Sequence, residues 1–314
     1  MLLHFPERLQ RSCIRRGEEL ASGGMATVHL GRLQGDAGFQ REVAIKRLQP
    51  RYAADPDFTA MLLDEARLVE RIRHPHVVQV LDVVADASGL YVVMELVRGE
   101  SLSGLIRLAH QRQTSVPQRV AIAMVIDALH GLHAAQVAQT EHGVPLGIVH
   151  RDVSPHNLMV GADGITRVLD FGVAKALGRS SATEEGQIKG KLAYMPPEQV
   201  LARPVDARTD VYAATIVLWE LLAGRRLFRA DSQIELLRLA AKGVAPESLE
   251  LEGLDVRLMA VLRRGLEPNP ERRFQSAQEM ASELESLGLE GTRDEVGAFV
   301  RALAGERLAA IRKS

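Results

Sequence analysis

HRDVSPHNLMVGADGITRVLDFG, His150 to Gly172, sets three oxygen-bearing side chains around one loop and one strand. Asp152 and Asn157 lie five positions apart, and Asp170 follows Asn157 by 13, at the end of the alternating run ITRVLD. Alternation of period two ending in a carboxylate reads as a strand that delivers Asp170 to a loop edge. Oxygen donors of this kind suit Mg²⁺, a hard cation, rather than zinc. Taken singly, each of the three is as readily a turn cap. No lysine lies between Asp152 and Asn157; Ser154 stands there, so any charge that neutralises a phosphate must come from elsewhere in the chain.

Upstream of this stretch the chain is β-rich. The runs TVHLGRL (27 to 33), EVAIKRL (42 to 48), VVQVLDVVA (77 to 85) and LYVVMELV (90 to 97) are separated by Gly- and Asp-containing turns and predict a small, mostly antiparallel sheet. One helix interrupts it, opening at Asp55-Pro56, an N-cap residue followed by proline at the first helical position. Phe58, Met61, Leu62, Leu68, Val69 and Ile72 form its apolar stripe. Glu65 lies on that stripe, and a core-facing carboxylate needs a partner.

Downstream, residues 117 to 136, 206 to 223, 231 to 242, 255 to 266 and 276 to 287 carry helical periodicity. Thr292 to Ser314 sets Val296, Phe299, Val300, Leu303 and Leu308 among charges, as in an amphipathic helix packed on the helical lobe or on a partner. These patterns predict an α+β, two-lobed chain: an extension (1 to 15), a small lobe (16 to 97), a larger helical lobe (98 to 287) and a terminal helix (288 to 314). The cleft between two such lobes is a preferred ligand site.

Composition narrows the function classes. Among 314 residues, 39 Lys and Arg against 40 Asp and Glu give a net charge of −1, which speaks against a nucleic-acid partner. The single cysteine, Cys13, has no intramolecular disulfide partner, as befits a reducing cytoplasm. The start of the chain lacks the pattern of a signal peptide. Apolar runs such as Ala213 to Trp219 fall short of the ~18 residues of a membrane span. The expectation is a cytoplasmic protein without a membrane span.

Two segments supply phosphate-binding chemistry to the small lobe. LASGGMATV, Leu20 to Val28, is a glycine-rich turn between β-like runs; Gly23 and Gly24 let backbone N–H groups approach phosphate oxygens. In VAIK, Val43 to Lys46, strand alternation puts Ala44 and Lys46 on one face, an apolar surface for a base beside a cation for phosphates. Glu65 and Lys46 explain one another as a pair.

GGMxxV, VAIK, Glu65, HRDxxxxN, DFG, MPPE and Arg273 occur in the order and approximate spacing of the eukaryotic-like (Hanks-type) protein kinases, and the likeness spans about residues 16 to 287. The texture of HRDVSPHN and IKGKLAYMPPEQV resembles bacterial serine/threonine kinases of myxobacteria. The resemblance implies a two-lobed kinase fold, with ATP and Mg²⁺ as cofactors and a protein substrate. By similarity, Lys46 would bind the α- and β-phosphates while paired with Glu65, Asp170 and Asn157 would hold Mg²⁺, and Asp152 would accept the hydroxyl proton. Val28, Ala44 and Met159 would sandwich adenine, Glu95 and Val97 would offer hinge backbone groups, and Met94 would be the gatekeeper. Val69, Leu81, His150 and Phe171 match a stacked spine based on Asp210, and Glu198 would pair with Arg273. Ser180, Ser181 and Thr183 would be phosphorylation sites near Arg151.

The sequence departs from the family pattern at three places. The glycine loop has alanines at two of three positions, and QVAQTEHGVPLG between His133 and His150 is a long insert, read as a surface hairpin. The third departure is paired. Members of the family commonly carry a lysine two residues after the catalytic aspartate and a threonine after the glycine preceding the Y-M-x-P-E run; here Ser154 and Lys191 stand at those positions. The two chemistries look exchanged, with the Lys191 ammonium reaching Asp152 and Ser154 supplying the hydroxyl. The competing function classes are a pseudokinase scaffold binding partner proteins and, less suited to MPPE, a small-molecule kinase. A dimer or regulatory partner would engage the terminal helix.

Overall fold

A computed structural model describes residues 2–3, 13–23, 26–34, 40–49, 60, 66, 69–86, 89–171 and 191–311. As expected, the fold is α+β, a β-sheet lobe followed by a helical lobe. The sheet contains β1 (Leu2–Leu3), β2 (Cys13–Ser22), β3 (Ala26–Gln34), β4 (Gln40–Leu48), β5 (Val80–Asp86) and β6 (Gly89–Glu95), in the order β1-β2-β3-β4-β6-β5. All its pairings are antiparallel. Strand β4 buries both faces, and its alternation sorts them. Val43 and Ile45 join Val84, Tyr91 and Val93 on one side. Ala44 joins Val78 and Met94 on the other, with Val28, Val97 and Leu169 against them.

Two of the expected strands are shorter in the structure. The run 77 to 85 begins its sheet pairing only at Val80, because its first residues are used elsewhere: Val77 bridges Val168 in parallel, and Val78 N donates to Val168 O at 3.0 Å. The run 90 to 97 ends at Glu95 and crosses to a second, three-stranded sheet of β7 (Gly99–Ser101), β8 (Leu158–Gly161) and β9 (Thr166–Val168). The His76-to-Val78 segment therefore staples the two sheets together. Ala60, Ala66, Val69 and Glu70 are helical, and Ala66 and Val69 are buried. Glu65 and the remaining stripe residues of that helix, other than Ile72, lie outside the described residues.

Among the described residues, the α-helices of the larger lobe are α1 (Leu102–Gln111), α2 (Gln118–Gln136), the single turn α3 (Pro197–Val200), α4 (Ala207–Ala223), α5 (Gln233–Lys242), α6 (Val256–Gly265), α7 (Ala277–Ser286) and α8 (Arg293–Ile311). Helix α4 runs through the core, with every residue from Thr209 to Leu221 buried. Asp206 caps its first turn and Gly224, at φ 63°, supplies the left-handed residue that ends it. Trp219 on this helix is wholly buried; its indole N–H donates to Leu249 O at 3.0 Å, and Arg225 lies 4.6 Å above the ring. The insert after α2 is a turn closed by Leu146 N to Ala138 O and a Gln139–Pro145 bridge.

Helix α8 opens with a reciprocal cap: Glu295 N donates to Thr292 Oγ1 at 3.2 Å, and Thr292 N donates to Glu295 Oε2 at 2.6 Å. Val296, Val300, Leu303 and Ala304 are buried in the core of the chain itself. At roughly 1.5–3 kcal/mol per fully buried Val or Leu side chain, this stripe anchors the helix firmly. Gly297 permits the close fit, since a Cβ there would meet Ala162 O at 2.8 Å. Among the described residues no helix is long and apolar enough to cross a membrane.

Candidate active site

The loop bearing Asp152 hangs from the buried end of α4. Asp210, in the first turn of that helix, accepts His150 N at 2.8 Å and Arg151 N at 2.9 Å. Arg151 has φ 61°, a left-handed conformation that costs a non-glycine residue energy and persists only where its surroundings hold it. Asp210 supplies that hold. Burial pushes its carboxyl above the ordinary aspartate value, against the pull of His150 and the two amides. His150 Nε2 is 2.8 Å from Leu169 O, and its ring lies 4.9 Å from that of Phe171. Val69 and Phe171 share the main core, while Leu81 packs against the Val43 and Ile45 cluster.

Around Asp152 the side chains converge. A 3₁₀ turn over Pro155–Asn157 brings Asn157 back, so that its Nδ2 donates to Asp152 O at 2.9 Å and to Asp152 Oδ2 at 3.0 Å. The same Oδ2 lies 2.7 Å from Lys191 Nζ. Ser154 is buried, and its Oγ has no hydrogen-bond partner among the described residues. Asn157 O accepts Leu169 N at 2.8 Å, which ties this loop to the residue before Asp170.

Asp170 has φ 45°, and its Oδ2 lies 2.8 Å from Lys46 Nζ. Desolvation pushes its carboxyl up, but the Lys46 ammonium outweighs that, and with Lys191 and His150 holds it below the ordinary aspartate value. An ionised Asp170 beside the Asn157 carboxamide offers hard oxygen donors, the set a magnesium ion uses when phosphate oxygens complete its shell. The residues fit such an ion.

The roof of the cleft comes from the sheet. Gly23 N donates to Ala26 O at 2.9 Å, joining the end of β2 to the start of β3. Ala44, Met94, Val28 and Val97 line one apolar cluster beneath it. Met159 is half-buried on β8, opposite Ser101. Glu95 N is engaged by Gln79 O at 3.0 Å, and its side chain accepts Gln79 N at 3.2 Å. Gly24, Ser180, Ser181 and Thr183 lie outside the described residues.

Below the cleft, Glu198 and Arg273 pair as expected, at 2.7 and 2.8 Å. A second cluster was invisible to sequence reasoning. Tyr194 donates to Glu220 Oε2 at 2.7 Å, Arg226 Nη1 reaches the same oxygen at 3.1 Å and also the tyrosine hydroxyl, and Leu227 N donates to Glu220 Oε1 at 3.0 Å. Burial and the Glu220 carboxylate push the Tyr194 phenol well above its usual value. Tyr194 N donates to Lys191 O at 3.1 Å, so this cluster braces the residue that meets Asp152. No local pattern signals it; the partners lie 26 and 32 residues apart.

Residues 14–284 match the protein kinase domain family. The chain is 38% identical over 293 residues to a protein named tyrosine-protein kinase MasK of Myxococcus xanthus, covering 92% of this chain and 45% of that relative. It is 37% identical over 275 residues to serine/threonine-protein kinase PknB of Mycobacterium tuberculosis, covering 85% and 42%. A probable serine/threonine-protein kinase of Clostridium acetobutylicum is 34% identical over 273 residues, covering 86% and 39%. The chain thus spans less than half the length of these relatives.

Proposed function

This chain is a member of the protein kinase family, and from that premise we propose that it is a serine/threonine kinase of bacterial signalling, cytoplasmic, acting on protein hydroxyls with Mg-ATP. The observation that carries the reading is the convergence of Asn157 and Lys191 on one oxygen of Asp152, beside the Lys46–Asp170 pair. In the transfer, the substrate oxygen forms a bond to the γ-phosphorus as the bond to the ADP oxygen breaks, and the hydroxyl proton passes to Asp152. Held by Asn157 and Lys191, the carboxylate is oriented for that proton before substrate arrives. Lys46 offsets phosphate charge from the roof, and Lys191 does so from below, in the role of the lysine absent at position 154. Only the lysine half of that exchange rests on a contact, because the Ser154 hydroxyl, expected in the threonine's place, is buried without a hydrogen-bond partner among the described residues. A divalent cation, when bound at Asp170 and Asn157, supplies further charge neutralisation on the phosphate oxygens.

Adenine is assigned to the Val28, Ala44 and Met94 cluster, with Met159 below it and the hinge groups of Glu95 and Val97 at its edge. The apolar stripe of α8 is buried against the chain itself, so a regulator or second copy would read its charged outer face. A second reading, transfer to tyrosine, is favoured by the name of the Myxococcus relative. Radiolabelled ATP with a generic protein substrate, followed by phosphoamino-acid separation, tests both. Label on serine and threonine, lost in Asp152→Ala and in Lys46→Met, is expected. Label on tyrosine would replace the first reading with the second, and equal labelling by Asp152→Ala would refute the assigned base.

A further inference from the structure

Helix α8 begins beyond residue 284, where the match to the kinase family ends, yet one of its side chains reaches the lobe that roofs the cleft. Arg307 Nη1 lies 2.7 Å from Glu100 Oε2, and Arg307 Nη2 donates to Leu20 O at 3.1 Å. Both partners are prepared for it. Glu100 is buried, and its other oxygen accepts Ser101 N at 3.0 Å and Ser101 Oγ at 3.1 Å, which fixes the carboxylate where the chain enters the helical lobe. Leu20 sits at an irregularity of the β2–β3 ladder: Glu19 pairs with His29 and Ala21 with Val28, so the register steps past Leu20. A bulged residue is left out of ladder pairing, which opens its carbonyl to another donor.

The arm itself is rigid. Arg301 donates to Ala162 O and Arg112 to Ala302 O, and the Gly297 contact presses the same helix onto the β8–β9 turn. A side chain fixed to the large lobe thus grips the strand that leads into the glycine turn, three residues before Gly23.

We infer that Arg307 is a positioning residue for the nucleotide site: it holds β2, and with it the glycine turn, at a set height over the cleft by tethering Leu20 to Glu100. The inference rests on the kinase reading, because it assigns the cleft beneath Leu20 to ATP. Its effect is on nucleotide affinity rather than on the transfer step, since Arg307 touches neither Asp152 nor Asp170.

The test is equilibrium binding of a fluorescent ATP analogue, with Mg²⁺, to the full chain, beside melting temperature and the KM for protein substrate. Arg307→Met is expected to weaken binding roughly threefold to tenfold, the range for losing a partly exposed charged contact. The protein-substrate KM stays at its wild-type value and the melting temperature falls less than in Leu303→Ala, because Glu100 loses its cation but keeps its two Ser101 bonds. Arg307→Lys, which keeps the charge but not the two-pronged reach, falls between in affinity. Leu303→Ala, which loosens the seat of α8, serves as the control for a purely structural role. Unchanged affinity in Arg307→Met would overturn the inference while leaving the kinase reading intact. So would an affinity loss matched in Leu303→Ala and tracking melting temperature in both. A wild-type chain that binds no nucleotide would remove the kinase reading and the inference together.

Discussion

Glu198–Arg273 and Asp152–Lys191 flank the same stretch of chain and are built to opposite ends. Arg273 uses all five of its N–H donors: two on Glu198, and the others on the carbonyls of Glu267, Arg208 and Pro268, at 2.6 to 3.2 Å. Thr209 Oγ1 adds a bond to Glu198 at 3.0 Å, Tyr212 stacks on the guanidinium at 4.6 Å, and side-chain exposure is 0% and 6%. Lys191 meets Asp152 through one 2.7 Å contact, with 36% of the lysine side chain exposed. A saturated, sealed pair can only hold its neighbours in place. A pair with donors to spare and access to water can take a new partner, which is what a group meeting substrate must do.

The comparison breaks most visibly at the sealed pair. Arg273→Leu leaves Glu198 charged and buried, and urea unfolding is expected to show a loss of about 3–5 kcal/mol. Arg273→Lys should recover little, because an ammonium cannot span five acceptors. A loss below about 1 kcal/mol would mean that the pair is not structural. At the open pair the expected pattern inverts. Lys191→Met lowers kcat by roughly 10² to 10³, about 3–4 kcal/mol of transition-state stabilisation, while unfolding stability moves by less than about 1 kcal/mol. Unchanged kcat would put the proposed exchange of Lys191 and Ser154 aside.

Asp127 on α2 is an intermediate case and gives the smallest effect. It accepts Thr166 N at 2.8 Å and faces His76 Nδ1 at 3.5 Å, with His130, Arg167 and Arg293 further off. Burial pushes its carboxyl up to about 6, and burial likewise pushes the His76 imidazole down. A carboxyl raised on folding favours the native state below its unfolded pKa and loses that advantage as pH rises through the folded value. Asp127→Asn keeps an acceptor for Thr166 without the titration. Its stability relative to wild type should therefore rise between pH 4 and pH 7, by up to about 3 kcal/mol, as read from urea midpoints across that range. A flat difference would show that Asp127 titrates as an ordinary carboxylate.

The parts of the molecule legible in sequence were those whose information is local. Helices α2 and α4 to α7 announced themselves by period and cap, and β3, β4 and β6 by alternation. Strand β2, CIRRGEELAS, has no run of alternating apolar residues and was missed. So were β7, three residues long, and α1, whose ten residues follow it directly, whereas β9 was legible in the alternating run ITRVLD. Asp152, Asn157 and Asp170 could be found because one loop and one strand carry them. Lys191 could be suspected only because two departures from a family pattern balanced one another. Nothing in a one-dimensional reading joins Arg307 to Leu20 across 287 positions, or Arg226 to Tyr194 across 32. Such contacts are set by how the helices stack, which no local window of sequence contains.

Trp219 is the single tryptophan of the chain, sealed in α4 with its N–H on Leu249 and Arg225 over its ring. Its emission therefore belongs to the helical lobe alone. Because none of the nucleotide-facing residues borders it, quenching by ATP at the cleft should be slight, whereas a red shift marks solvent entering the large lobe. An optical unfolding curve would accordingly report the helices and overlook a sheet that loosens first.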